Sequence, residues 1–320
     1  MLYIITEDLC KRYILRRRRE DSALREKTAV QALDKVSFTV ERGELIGCIG
    51  PNGAGKSTMV KILSGILKPD GGTVLVDGRT PWQTRKEHVR NIGVVFGQRM
   101  QLWWDVPIAD SYALLRKIYR VPQDRWKTRL DELCEALELG PLLRTPLRQL
   151  SLGQRMRAEV CGSLLHSPSL LFLDEPTIGL DAVSKLALRD FLKKENRDRG
   201  TTVLLTTHDM EDIAALCSRV MVLGHGKKLY DGALEALLRR YDITRRVRVR
   251  YQDGEAAPVL PDGCAMERQN GGWEITYRPE AFPTAGMLTR LQEAGEIAEM
   301  TIEPENVDLL IAEMYRELQL

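Results

Sequence analysis

The sequence lacks any uncharged apolar run of the roughly 18 residues that a membrane-spanning helix needs. Its longest charge-free run near the middle of the chain, Val160 to Leu173, is shorter and contains serine and proline. The first residues, Met1 to Tyr13, include acidic side chains where a secretory signal would have a basic segment followed by an apolar one. We therefore expect a chain that does not cross or enter a membrane by itself.

The sequence also lacks paired cysteines and an excess of charge of one sign. Its 6 cysteines show no C-x-x-C pair and no metal-ligand spacing, which predicts reduced thiols that pack as small apolar residues. The 47 Lys and Arg residues nearly balance the 45 Asp and Glu residues, for a net charge of +2. This balance gives no global electrostatic reason to expect a nucleic-acid partner. The composition also disfavours disorder and a disulfide scaffold, because 43% of the residues are hydrophobic, enough to bury a core.

Short apolar runs alternate with helical patterns along most of the chain. Val36, Phe38 and Val40 alternate with polar residues as in a half-buried strand. Buried strands are predicted at residues 44–50, Ile92 to Phe96, Leu170 to Leu173 and Thr202 to Thr206. Such a chain is typical of an α/β domain with a largely parallel sheet. Between about residues 105 and 165 no strand-like run occurs, which predicts a helical subdomain.

The character of the sequence changes after Gly232. Alternating patterns predict strands at Val247 to Tyr251 and at Trp273 to Tyr277, followed by a helix at about 286–293 and a strand at about 297–302. The last residues form an amphipathic pattern whose apolar positions include Val307, Leu310, Ile311 and Met314. We thus predict two domains, residues 1–240 and residues 241–320, of which the second is a small α+β domain.

One segment carries a phosphate-binding motif. It fits the pattern G-x-x-x-x-G-K-[ST] and comprises Gly50, Pro51, Asn52, Gly53, Ala54, Gly55, Lys56, Ser57 and Thr58. Glycines let successive backbone N–H groups converge on phosphate oxygens, and the following helix presents its positive end to them. Lys56 is then expected to reach the β- and γ-phosphates of ATP, and the Ser57 hydroxyl to ligate Mg²⁺. The alternative, a chance glycine-rich turn, is disfavoured by the strand before the loop and the helix after it.

A second segment ends in two acidic residues. The apolar run Leu170 to Leu173 leads directly into Asp174 and Glu175. Ligands of open α/β sheets bind at the carboxyl ends of the strands, where this strand would deliver a carboxylate. We expect Asp174 to bind Mg²⁺ directly or through water, and Glu175 to polarise an attacking water. The alternative is a strand that ends in an exposed acidic turn.

A third motif, taken together with the first two, makes the chain resemble the ATP-binding-cassette (ABC) ATPases. The resemblance covers roughly the first 235 residues. The diagnostic segment is Leu150 to Gln154, which is similar to the family's LSGGQ signature but has Leu152 in place of the usual glycine. The resemblance implies that two ATP molecules lie between two ATPase domains arranged head to tail. Ser151 and Gly153 would donate to the γ-phosphate held by the opposite subunit, with Gln154 beside them in the nucleotide site.

Three further positions resemble catalytic loops of the family. Gln98 resembles the glutamine that contacts Mg²⁺ and water, Asp181 the D-loop aspartate, and His208 the switch histidine that contacts the γ-phosphate and Glu175. The resemblance therefore implies Glu175, His208 and Gln98 as catalytic residues, and Ser57, Gln98 and Asp174 as ligands of Mg²⁺.

Tyr13 resembles the residue on which the family stacks adenine, and the alternative is a core tyrosine. An insertion, Ile14 to Thr28, separates Tyr13 from the phosphate loop and contains Arg16 to Arg19. An arginine run of this kind is typical of a solvated loop. Contact with lipid headgroups is the alternative, if the domain sits under a membrane.

Two adjacent tryptophans, Trp103 and Trp104, follow Gln98. They cannot both face the core of one strand, so at least one is expected at a surface or an interface. In transporter ATPases of the family, this region lines the groove that receives a helix of the membrane subunit. The alternative is ordinary packing against the helical subdomain.

The resemblance implies a fold and a function. The fold is a P-loop ABC cassette, whose mostly parallel sheet is joined by an antiparallel subdomain and a helical subdomain. The function is ATP hydrolysis that powers a membrane transporter through separate permease subunits. The other implied partner is a second ATPase subunit, identical or closely related. The chain would be cytoplasmic and peripheral, bound to the inner face of the cell membrane through the permease.

The direction of transport is less closely specified. The region Gln98 to Trp104, the segment Gly224 to Gly232 and the segment Ile302 to Val307 resemble ATPases of type 2 exporters, including drug and viologen exporters. This resemblance predicts an exporter. An importer ATPase with a regulatory tail and a non-transport ABC ATPase are the alternatives.

Overall fold

A computed structural model describes residues 1–18, 25–97, 99–240, 245–253, 256–269, 271–278 and 282–304. The chain forms two compact units, Met1–Ala233 and Leu234–Leu320. The helix Leu234–Arg240 belongs to the second unit. All 6 cysteines are free thiols, in line with their scattered positions.

An antiparallel sheet lies at the start of the first unit. Its strands follow the order β2 (Arg25–Glu41), β1 (Leu2–Arg18) and β4 (Gly71–Val76). Val36, Phe38 and Val40 are buried, as their alternation predicts. This sheet is the antiparallel subdomain that the family resemblance implies.

The insertion between Ile14 and Thr28 continues this sheet. Within the insertion, β1 and β2 remain paired as an antiparallel ribbon, as far as Arg18 opposite Arg25. The interpretation of this segment as a loop is therefore wrong for its described part, because backbone pairing across a hairpin does not require apolar side chains. Arg19 lies outside the described residues.

The second sheet of this unit is mostly parallel. Its strands follow the order β5 (Ile92–Phe96), β6 (Leu170–Asp174), β7 (Thr202–Thr206), β3 (Leu45–Ile49), β8 (Arg219–Gly224) and β9 (Lys227–Ala233). Neighbours are parallel except β8 and β9. Every residue of β6 and of β7 is buried, as expected for strands covered on both faces. The predicted α/β architecture is confirmed.

Helices cover the parallel sheet and form the predicted helical subdomain. The helices are α1 (Lys56–Leu63), α2 (Arg85–Arg90), α3 (Ile108–Tyr119), α4 (Gln123–Ala136), α5 (Leu152–Leu164), α6 (Ala182–Arg199) and α7 (Met210–Leu216). Short 3-10 turns at Gly140–Leu142 and Leu147–Gln149 connect α4 to α5. Within the described ranges, no helix is both long and apolar enough to cross a membrane.

The core of the first unit surrounds α1. Met59, Val60, Ile62 and Leu63 of this helix are buried in one cluster with residues of both sheets. Removal of a large side chain from such a position typically costs about 2–5 kcal/mol of folding free energy. The helix that follows the phosphate loop is therefore held rigidly between the two sheets.

The second unit begins with α8 (Leu234–Arg240), and its described residues contain an antiparallel sheet on which the helix α9 (Thr284–Ala294) packs. The sheet has the order β11 (Ala265–Gln269), β12 (Gly272–Tyr277), β10 (Arg245–Tyr251) and β13 (Ile297–Pro304). Val247, Ile275 and Leu291 are fully buried in its core. β11 has no counterpart among the predicted strands, because all its residues are exposed and do not alternate. The predicted final helix lies outside the described residues.

Candidate nucleotide-binding site

The phosphate loop connects β3 to α1 at the carboxyl edge of the parallel sheet. Gly53 and Gly55 have φ values of 87° and 108°, in the region that favours glycine. A Cβ atom on Gly55 would lie 2.4 Å from the Ala32 carbonyl oxygen, so a larger residue does not fit there. Gly55 is also the N-cap of α1, and no side chain caps this helix. The first N–H groups of α1 are therefore available to an anion.

Lys56 is buried within the loop that precedes it. Its Nζ donates to the carbonyl oxygens of Gly50 at 2.7 Å and of Pro51 at 3.3 Å. The same ammonium lies 3.6 Å from Glu175 Oε1. A buried ammonium needs such partners to offset its lost hydration. In this position it presents a positive charge beside the open end of α1.

Ser57 and Asp174 meet at the end of β6. The Ser57 hydroxyl donates to Asp174 Oδ1 at 3.0 Å, and the Thr206 hydroxyl donates to the same oxygen at 2.6 Å. Hydroxyl and carboxylate oxygens are hard donors, and Mg²⁺ is usually bound by one or two carboxylates together with substrate phosphates. The donor set at Ser57 and Asp174 therefore fits Mg²⁺.

Glu175 and His208 form a pair at the ends of neighbouring strands. His208 Nδ1 lies 3.0 Å from Glu175 Oε2. The Glu175 carboxylate is mostly buried, whereas about half of the His208 side chain is exposed. Glu175 has a φ of 56°, which is unusual for a residue with a side chain. The structure thus brings Glu175 and His208 together with Lys56, as the sequence predicts.

Tyr13 lies on β1, beside the start of α1. Its hydroxyl is 3.5 Å from Thr58 Oγ1, and Lys11 Nζ is 6.0 Å from its ring centroid. The side chain is only partly buried, which argues against the core tyrosine that was the alternative. The aromatic residue is therefore next to the last residue of the phosphate-binding motif.

The signature-like residues form a second cluster at the starts of α5 and α6. Ser151 caps α5, since its hydroxyl accepts from the Gln154 N–H at 3.2 Å while its own N–H donates to Gln154 Oε1 at 2.9 Å. Asp181 caps α6 and accepts from the N–H and the hydroxyl of Ser184. A Cβ atom on Gly153 would lie 2.3 Å from Ser184 Oγ, so the starts of α5 and α6 lie too close together for a larger residue at this position.

Gln98 lies outside the described residues, so its role stays a prediction. The residue before it is placed: the Gly97 N–H donates to the Asp174 carbonyl oxygen at 2.7 Å. Further along, Trp103 and Trp104 are both substantially exposed, at 41% and 48%. The Arg155 guanidinium lies 4.6 Å from the Trp104 ring centroid. The predicted exposure of at least one tryptophan is therefore found.

Three residues of the first unit make buried contacts that no sequence motif marks. Thr206 ends an apolar strand, and only the pairing of β6 with β7 shows that it lies opposite Asp174. Asp212 is fully buried in α7, and Glu159 is buried in α5. Burial raises the pKa of the Glu159 carboxyl to about 7, against hydrogen bonds from the Gln101 and Leu102 N–H groups. An acidic residue in an amphipathic helix gives no sequence signal of such burial.

Known proteins have sequences similar to this one. The family described as ABC transporter matches residues 33–178. The ABC transporter ATP-binding protein NatA of Bacillus subtilis is 32% identical over 70% of this chain and 90% of its own length. The daunorubicin resistance ATP-binding protein DrrA3 of Streptomyces coeruleorubidus is 34% identical over 84% of this chain and 86% of its own. The methionine import ATP-binding protein MetN of Geobacillus kaustophilus is 34% identical over 68% of this chain and 65% of its own length.

The fold is shared as well. A solved dimeric ATP-binding cassette, in a post-hydrolysis state bound to ADP and Pi, superposes with a TM-score of 0.62 at 27% identity. The match covers 72% of this chain and 98% of that cassette. It extends well beyond the phosphate loop, so it is not a local likeness of one motif. The chain belongs to the ATP-binding subunits of ABC transporters.

Proposed function

We propose that this chain hydrolyses ATP at the phosphate loop and thereby drives a transporter. The convergence of Lys56, Ser57, Asp174, Glu175 and His208 at one edge of the parallel sheet carries the proposal. These groups combine a cationic phosphate cradle, a metal-binding pair and a carboxylate that can act on water. Phosphoryl transfer needs this combination, because catalysis depends on positioning and electrostatic stabilisation.

Each residue has a distinct role in the proposed reaction. The loop from Gly50 to Thr58 holds the phosphates, Tyr13 stacks on adenine, and Lys56 neutralises negative charge on the terminal phosphates. When bound to Ser57, Asp174 and Gln98, Mg²⁺ supplies further charge neutralisation and orients the phosphates.

Glu175 is the proposed general base. It accepts a proton from water as the water oxygen bonds to the γ-phosphorus and the bond to the bridging oxygen breaks. His208 Nδ1, at 3.0 Å, holds the carboxylate in place. The products are ADP and inorganic phosphate.

A second ATPase subunit completes the proposed site. Ser151, Gly153, Gln154 and Asp181 would act on the nucleotide bound by this second subunit, an identical chain or a close paralogue. The start of α5 supports this role, because Ser151 and Leu152 are exposed there and a helix N-terminus attracts anions. Closure of the two subunits on ATP and their opening after hydrolysis would supply the motion for transport.

The proposed partner of the moving subunits is an integral membrane permease. The exposed pair Trp103 and Trp104 is the candidate contact surface, since exposed aromatic side chains are typical of interfaces. The chain would then be cytoplasmic and held at the inner face of the cell membrane. We propose export as the direction, because the DrrA3 alignment includes more of both chains than the MetN alignment. Import is the second candidate, which the 34% identity to MetN favours.

Glu175→Gln tests the ATPase proposal. The variant is expected to bind ATP with unchanged affinity and to lose most of its turnover, because an amide cannot accept the proton. Steady-state phosphate release and nucleotide binding measure the two properties. Full turnover in this variant would refute the assignment of the base.

Two further measurements test the transport proposal. Detergent extraction is expected to yield the chain together with an integral membrane protein. A complex with nucleic acid or ribosomes instead would contradict the transport proposal.

The second measurement tests the direction of transport. A strain without the chain should retain more daunorubicin inside the cell, and the wild-type chain but not Glu175→Gln should restore the lower intracellular daunorubicin level. Reduced methionine uptake in that strain would support import instead.

A further inference from the structure

Asp212 is a fully buried carboxylate that the proposed reaction does not use. It lies in α7, which begins directly after His208 and Asp209. Its exposed fraction is 0%. A buried carboxylate is costly unless it is paired and hydrogen-bonded. Its partners therefore show what this charge holds together.

One oxygen of Asp212 contacts both segments that carry the proposed catalytic pair. The Thr177 hydroxyl donates a short hydrogen bond to Asp212 Oδ2. The Thr207 hydroxyl lies 3.5 Å from the same oxygen. Thr177 follows Glu175 by two residues, and Thr207 directly precedes His208. A single carboxylate oxygen thus connects the turn after Glu175 to the strand end before His208.

The other oxygen of Asp212 is neutralised by α6. Arg189 Nε donates to Asp212 Oδ1 at 2.6 Å, and Nη2 of the same guanidinium lies 2.6 Å from that oxygen. One turn earlier, Lys185 Nζ is 2.5 Å from Asp209 Oδ2. Two ion pairs therefore fasten α7 to α6, the helix that Asp181 caps.

The turn that begins at Glu175 needs such an anchor. Glu175 has a φ of 56°, a backbone conformation that is strained for a residue with a side chain. The Ile178 N–H reaches back to the Glu175 carbonyl oxygen at 3.5 Å, a long contact that stabilises the turn weakly. The Glu175 N–H donates to the Thr206 carbonyl oxygen at 2.9 Å, and two residues further along the buried Thr177 hydroxyl adds a side-chain attachment to Asp212.

We propose that Asp212 is a positioning residue, which sets the distance between the Glu175 carboxylate and the His208 ring by holding Thr177 and Thr207. This inference rests on the proposed catalytic roles of Glu175 and His208. Asp212 is fully buried, so it acts on the catalytic pair through the two threonines. Loss of the Thr177 anchor would let the turn relax, so that the carboxylate no longer faces the attacking water.

Substitution of Thr177 tests the inference without leaving a charge unpaired. Thr177→Val removes the hydroxyl and keeps the shape, whereas Thr177→Ser keeps the hydroxyl. We expect kcat of the Val variant to fall by roughly 10- to 100-fold, since a small misplacement of a catalytic group has effects of this size. KM and nucleotide affinity should stay within about two-fold of wild type, because the phosphate loop is unchanged. The Ser variant should recover most of kcat.

A matched control separates positioning from general loss of stability. Thr6 is also buried, and its hydroxyl donates to the Phe38 carbonyl oxygen in the antiparallel sheet, away from the catalytic pair. Thr6→Val should lower the unfolding midpoint as much as Thr177→Val does, while kcat stays near wild type. The pH dependence of kcat should change only in the Thr177→Val variant.

The outcomes distinguish this inference from the proposed function. If Glu175→Gln loses turnover but Thr177→Val keeps wild-type kcat, the positioning role is refuted and the ATPase proposal stands. Equal losses of kcat in Thr177→Val and Thr6→Val would also refute it, since they indicate a structural effect. If Thr177→Val does not fold, the same comparison is made with Thr207→Val and Thr207→Ser. Retained turnover in Glu175→Gln would overturn both proposals.

Discussion

His208 Nδ1 lies 3.0 Å from Glu175 Oε2, although 32 residues separate the two positions in the chain. The contact exists because β6 and β7 are parallel neighbours, with Asp174 paired to Thr206 at their carboxyl ends. Each catalytic candidate follows one of these strand ends closely. The geometry of the pair is therefore a direct result of strand order.

Substitution of this histidine should affect turnover and not binding. His208→Ala is expected to lower kcat by roughly 10²-fold, because Glu175 loses the group that holds its carboxylate. Nucleotide affinity should remain unchanged, since Lys56 and the phosphate loop are intact. The matched control is His225→Asn, at an exposed position whose φ of 46° asparagine tolerates. Equal kcat values for the two variants would contradict the role of His208.

Substitution of Gly55 should weaken nucleotide binding. A Cβ atom at this position meets the Ala32 carbonyl oxygen at 2.4 Å, and the φ of 108° adds strain of about 1–3 kcal/mol. Gly55→Ala is therefore expected to displace the loop and lower both the unfolding midpoint and ATP affinity. Gly140→Ala is the control, because a Cβ atom there meets no atom within 4 Å. Wild-type affinity in Gly55→Ala would show that the loop tolerates a side chain.

The buried Glu159 carboxyl should make stability depend on pH. Burial raises its pKa from 4.5 to about 7, so the folded chain keeps a proton that the unfolded chain releases. The free energy of unfolding, relative to Glu159→Gln, should therefore fall as pH rises from about 4.5 to about 7, by up to ~3 kcal/mol. Denaturant titrations at pH 5 and pH 8 measure this difference.

The control for Glu159 is Glu138→Gln, which changes an exposed carboxylate paired with Arg157. The difference in the free energy of unfolding between wild type and Glu138→Gln should not change in this way with pH, because the Glu138 carboxylate is exposed to solvent in the folded chain. If the free energies of unfolding of wild type and Glu159→Gln differ by the same amount at pH 5 and pH 8, the assigned burial effect is wrong.

The exposed tryptophan pair should matter only in the assembled transporter. Trp104→Ala is expected to weaken co-purification with the membrane permease and to leave the ATPase rate of the isolated chain unchanged. Loss of the contact with Arg155 removes about 0.5–1 kcal/mol of local stability, too little to unfold the subdomain. Ile118→Ala, at a site that is 56% exposed on α3, is the control. Undiminished recovery of the permease with Trp104→Ala would rule out this surface.

Much of the fold was predictable because its signals are local. Alternation revealed the half-buried strand at Val36 to Val40, and continuous apolar runs revealed the buried strands of the parallel sheet. The extension of β1 and β2 as far as Arg18 opposite Arg25 was not predicted, since backbone pairing needs no apolar alternation. The strand β11 was not predicted because all its residues are exposed.

The sequence by itself determined which chemical groups the site can use. The glycines, Lys56 and Ser57 form one contiguous motif, and Asp174 with Glu175 ends one apolar strand, so covalent order alone brings each set together. Only the tertiary structure decided which separate segments meet. The pairing of β6 with β7 places Thr206 on Asp174, and the packing of α7 buries Asp212 against Thr177. These contacts join residues from different elements, and their free energy depends on burial and geometry that no local pattern records.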